Sequence, residues 1–200
     1  MEEKEIKVAF LPAAIPWYEP FETFKCIFQK WNDTNPFYTF ELEKITDKDI
    51  INGKLNTKNY DLFIFPGIAR GYIHMFDKPF PIPWKNNIRR FVRNGGGYLG
   101  TCGGAVVAGC GLANKPKTYW EKIANKAALK IANVKVYQEI CLPFEGEKVG
   151  QTAYIWYGSG IPAKVKLNRK HPIFSAFPKK FWTIRHIGGP AFVELENKKA

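Results

Sequence analysis

Long apolar runs are missing from this 200-residue sequence: none approaches the roughly 20 residues that a membrane-spanning helix needs. The opening Met1-Glu2-Glu3-Lys4-Glu5 is too acidic to begin a signal peptide, so a cytoplasmic location and no membrane partner are expected. Cysteine and histidine are scarce. Cys26, Cys102, Cys110 and Cys141 show neither CxxC spacing nor a paired Cys/His ligand pattern, which argues against a structural zinc site. In a reducing compartment these thiols stay free, and the apolar neighbours of Cys26, Cys110 and Cys141 point to core packing. A phosphate loop of the Walker type is also lacking, because Gly95-Gly96-Gly97 is not followed by Gly-Lys-Ser/Thr. No metal or nucleotide cofactor is expected. Acidic residues are outnumbered, 18 Asp and Glu against 30 Lys and Arg, for a net charge of +12. The bases are scattered, with only short pairs such as Arg89-Arg90, so a solvated surface is expected rather than a specific nucleic-acid site.

What is present is an ordinary globular composition, 46% hydrophobic and 24% charged, with an aromatic share of 16%. The length suits a single domain over residues 1–200. Ile6 to Leu11 is a β-rich run ended by Pro12, and a helix is expected from about Glu19 to Trp31. A second strand over Phe37–Leu42 precedes a short helix capped by Thr46-Asp47. Tyr60–Phe65 is nearly continuously apolar, as in a strand covered on both faces of a parallel sheet, and Pro66-Gly67 stops it. From Pro83 the spacing turns helical, with Trp84, Ile88, Phe91 and Val92 on one stripe, until Asn94-Gly95-Gly96-Gly97 ends the helix. After Leu112 the pattern becomes β-rich, with strands expected at 134–137, 153–157, 164–167, 181–186 and 191–194, and a short turn or helix at 171–174. Alternating β and α elements imply a doubly wound α/β sheet, whose ligands bind outside the carboxyl ends of its strands.

Cys102 is the residue singled out for chemistry. It lies in Gly100-Thr101-Cys102-Gly103-Gly104, after the strand-like Gly97-Tyr98-Leu99 and before the helix-compatible Ala105–Ala108. A reactive side chain at a sharp strand-to-helix turn needs small neighbours, and a helix N-terminus favours a thiolate. A small core residue in a tight turn is the plainer alternative.

Three segments together resemble the class I glutamine amidotransferase-like superfamily: Asp61–Gly67, Ile88–Gly104, and His171–Phe174 with Gly188–Phe192. Within it they are most similar to the amidotransferase-like domain found at the N-terminus of biotin-protein ligases. The resemblance implies a flavodoxin-like, mostly parallel sheet with helices on both faces, and a cysteine-dependent hydrolase acting on C–N amide bonds. Carried onto this chain, Cys102 is the nucleophile, His186 the base, and the backbone N–H groups of Gly103 and the Gly67-Ile68 loop hold the oxyanion. The implied ligand is a small amide or carboxylate. Family members commonly carry glycine where this chain has Ile68, and Glu two residues after the histidine where this chain has Gly188. Glu194 or Glu139 is a spatial substitute for that carboxylate. Two other function classes stay open. One is a binding or regulatory domain that keeps the fold without turnover; the other is a DJ-1/PfpI-like hydrolase or glyoxalase using Glu19 or Glu22. Trp17, Tyr18, Phe76 and Phe80 suit either a pocket lining or a homodimer contact.

Overall fold

The computed structural model describes residues 4–12, 20–34, 37–67, 81–117, 119–137, 139–141, 148–150, 161–175, 177–186 and 191–195. The chain divides into two compact units, residues 1–137 with 190–200, and residues 138–189.

The first unit is built on a parallel sheet. Strands β1 (Lys4–Phe10), β2 (Tyr38–Lys44), β3 (Leu62–Phe65) and β4 (Gly97–Gly100) lie in the order β2-β1-β3-β4. All three pairings are parallel, with Val8 opposite Leu42 and Leu62, and Phe65 opposite Gly100. Parallel neighbours need crossovers, and helices supply them. Side chains of β1 and β3 alternate between two hydrophobic clusters. Val8, Phe10 and Ile64 meet Phe21, Phe24 and Phe28 of helix α1 (Pro20–Asn32) on one face. On the other, Ala9, Phe63 and Phe65 meet Ile50 of α2 (Asp47–Ile51) and Trp84, Ile88 and Phe91 of α3 (Pro81–Arg93). That second cluster also takes in Val107 of α4 (Gly103–Ala108), Ala127 of α5 (Tyr119–Ala127) and the following Leu129. An α/β sheet with helices on both faces is therefore in place.

Local chemistry explains the boundaries. Thr46 and Asp49 form a reciprocal capping box at the start of α2, with Asp49 N–H donating to Thr46 Oγ1 at 3.1 Å and Thr46 N–H to Asp49 Oδ2 at 2.8 Å. Buried Asn87 of α3 donates to the carbonyls of Ile50 and Ile51, satisfying the end of α2. Gly95, at φ +99°, ends α3 as expected, with Gly96 N–H returning to Phe91 O at 3.0 Å.

Three expectations need correction. A helix, α5, occupies Tyr119–Ala127 in the stretch expected to be β-rich; its Ile123, Ala124 and Ala127 are buried. Strands after residue 133 do not extend the parallel sheet among the described residues. They form antiparallel pairs: β5 (Val134–Tyr137) with β10 (Ala191–Glu194), β6 (Glu139–Cys141) with β7 (Lys148–Gly150), and β8 (Ile161–Lys166) with β9 (Phe181–His186). The Lys164-Val165-Lys166 alternation suits a strand with one solvated face, which antiparallel pairing permits. Cys26 is exposed rather than packed in the core, because it falls off the Phe21, Phe24 and Phe28 stripe of α1. Cys110 is half-buried, its thiol donating to Ala132 O at 3.4 Å. The expected strand 153–157 and the residues Trp17, Tyr18, Phe76 and Phe80 lie outside the described residues. His171 does stand just before α6 (Pro172–Ser175), at the expected turn. Among the described residues, no helix is long and apolar enough to cross a membrane.

Candidate functional site

The carboxyl ends of β3 and β4 bring Gly67 and Cys102 together. Because these strands are parallel neighbours, both chains leave the sheet on the same edge, beside the reversal of strand order between β1 and β3. A Cβ placed on Gly67 would stand 3.0 Å from Cys102 Cβ and 3.9 Å from its Sγ. The absence of a side chain at residue 67 is what opens space beside the sulfur.

Cys102 is the N-cap of α4 at φ 48°, ψ −109°. This is a conformation that an L-residue with a side chain adopts only at a cost of order 1–3 kcal/mol. Surrounding contacts hold it there. Thr101 N–H donates to Phe65 O at 3.1 Å, continuing the β3–β4 ladder to the residue before the turn. On the far side, Gly104 N–H reaches Thr101 O at 2.9 Å and Val106 N–H reaches Cys102 O at 3.0 Å. Gly104 lies so close to β3 that a Cβ there would collide with the Phe65 carbonyl, and one at Gly100 would come 2.7 Å from the Gly104 backbone. Tyr98 completes the frame. Its hydroxyl donates to Gly104 O at 2.7 Å, tying β4 to the first turn of α4. Burial raises the Tyr98 phenol well above its ordinary range, so it stays a donor. Sequence reasoning missed this residue. Its only signal is its place four residues before Cys102, on the strand that leads into the turn.

Burial pushes the Cys102 thiol up, and the Gly103 N–H beside the sulfur pulls weakly the other way. The residue as a whole is exposed, and its Cβ and Sγ border the place that a residue-67 side chain would take. This direction runs against the thiolate expected at a helix N-terminus. Six residues give α4 little macrodipole, and among the described residues no cation contributes to the thiol. Gly103 is buried at the first position of α4.

His186 is the last residue of β9 and belongs to the second unit; its side chain lies outside the described residues, as do Ile68 and Gly188. Glu194 is an exposed strand residue of β10, and the Glu139 side chain is outside the description. Glu22 sits exposed in the first turn of α1, where negative charge is favoured in any case, and Glu19 is not among the described residues. Among the described residues, no group of three or more His, Cys, Asp or Glu is arranged to hold a metal ion.

No protein-family model matches this chain, and no curated protein matches it either.

Proposed function

We propose that the chain is a class I glutamine amidotransferase-like protein with a flavodoxin-like core, resembling the N-terminal domain of biotin-protein ligases, and that it cleaves C–N amide bonds of a small amide through Cys102. The observation that carries this reading is a non-glycine residue held at φ 48° in a strand-to-helix turn at the carboxyl edge of a parallel sheet. The strand order β2-β1-β3-β4 supports the flavodoxin-like assignment.

A resting thiol cannot attack efficiently, so burial of Cys102 makes the reaction depend on a base at the moment of attack. For that role the resemblance implies His186. It takes the thiol proton as sulfur adds to the carbonyl carbon, and the Gly67-Ile68 loop and Gly103 N–H groups receive the oxyanion. Collapse of the adduct breaks the C–N bond, the proton passing from His186 to the leaving nitrogen, and water then hydrolyses the thioester to a carboxylate.

Turnover of a panel of small primary carboxamides, followed by ammonia release, tests this. Cys102→Ala should lower it by at least about a thousandfold, the scale on which removing a nucleophile acts. Full activity in Cys102→Ala would overturn the assignment. A second reading, a ligand-binding domain without turnover, is favoured by Gly188 standing where the resemblance calls for the glutamate that orients the histidine. Saturable carboxamide binding with no ammonia release from the unmodified chain would select it.

A further inference from the structure

The fold gathers cations that the sequence scatters. Arg89 and Arg93 lie one helical turn apart on α3, and they line an open groove of about 430 Å³ with Lys130, Val92 and Ile131. We propose that this groove, where the last turn of α3 faces the turn at residue 130, binds a small anion carrying a phosphate-type group.

Arg89 is fixed in place. Its Nε donates to Leu129 O at 2.6 Å and one terminal nitrogen to Ala128 O at 3.3 Å. Neutral carbonyls satisfy those hydrogens but leave the charge uncompensated. Lys130 is held as firmly by its backbone. It is the second of two non-glycine residues at positive φ among those described, at φ 56°, clamped by its own N–H to Gly109 O and by Ile131 N–H to Ala108 O, each at 3.0 Å. Lys85, one turn before Arg89, donates to Lys126 O at 2.6 Å. Burial first, then the Arg89 and Lys130 charges, hold its ammonium below the usual lysine range. Among the described residues no ion pair involves Arg89, Arg93, Lys130 or Lys85.

Mutually repelling cations around a half-open groove are relieved by an anion that meets several at once, and guanidinium groups pair with phosphate oxygens bidentately. The volume falls in the range of small-ligand sites, while Val92 and Ile131 offer an apolar wall to whatever the phosphate is attached to. The groove is distinct from the elbow. Since α3 runs from the carboxyl edge back toward the start of β4, its last turn lies at the opposite end of the sheet from Cys102.

Calorimetric titration with inorganic pyrophosphate, at ionic strength held constant with sodium chloride, tests the proposal. Saturable binding is expected, weakened about tenfold in Arg93→Gln and in Lys130→Gln, with Arg93→Lys falling between these variants and the unmodified chain because it keeps the charge and loses the bidentate fork. Inorganic phosphate should compete at the same site. Cys102 alkylation at an unaltered rate in each variant checks that the sheet is intact. Absence of saturable pyrophosphate binding, or equal affinity in the unmodified chain and both glutamine variants, would overturn the site. So would binding only to single-stranded oligonucleotides with affinity rising with their length, which would assign the cations to a nucleic-acid backbone.

Discussion

Cys102 and Lys130 share a backbone sign and differ in what holds it. At Cys102 the turn exists because Gly104 brings no side chain against the Phe65 carbonyl and because Tyr98 bolts α4 to β4. At Lys130 nothing of the kind is needed, since three successive hydrogen bonds, from Leu129, Lys130 and Ile131 N–H to Val107, Gly109 and Ala108 O, wrap the chain around the end of α4. The first turn is made by subtraction, the second by bonding. Glycine would serve either backbone at lower cost, so in both places the side chain is what the strain preserves.

The largest effect is expected at Gly104. Alanine there meets backbone rather than a movable side chain, and a loss of about 3 kcal/mol is expected, read as a lowered urea midpoint. An unchanged midpoint would mean that the elbow does not depend on the close approach of α4 to β3. Replacing the two strained residues themselves should act in the opposite direction. Cys102→Gly, relieving φ 48° with ψ −109°, is expected to stabilise the fold by about 2 kcal/mol, and Lys130→Gly, at φ 56°, by about 1 kcal/mol. Destabilisation by either change would show that its side chain is retained for packing. Tyr98→Phe removes one hydrogen bond between β4 and α4 and should cost about 1 kcal/mol, read as a slightly lowered urea midpoint.

Much of the first unit is legible from residue order. Continuous apolar character at Tyr60–Phe65, the Trp84, Ile88 and Phe91 stripe, the Thr46 cap and the glycine stop after Arg93 each report a local requirement, and each element forms within a few residues of its expected limits. The elbow is legible for the same reason, since steric demand is written in its neighbours. What escaped depends on the completed fold. The apolar spacing of α5, Ile123, Ala124 and Ala127, spans barely one turn and starts behind two aromatic residues, a weak helical signal until the fold buries all three and sets Ala127 in the cluster of Val107 and Leu129. Tyr98 gains its role only when α4 folds back over β4. Arg89, Arg93 and Lys130 are an unremarkable pair and a lone lysine in sequence, joined only by the turn after α5.

On the function proposed here, Cys102 waits as a protonated thiol and depends on a base for reaction. Peptide-resolved alkylation by iodoacetamide as a function of pH addresses it directly, in a Cys26→Ser background because Cys26 is also exposed. The sign follows from burial, which favours the neutral form, so the reactive thiolate should appear only as pH rises above the ordinary cysteine value of about 8.5. An inflection above that of a short cysteine peptide is the predicted result. One near neutrality, shifted upward by His186→Ala, would contradict it and show a preformed thiolate–imidazolium pair.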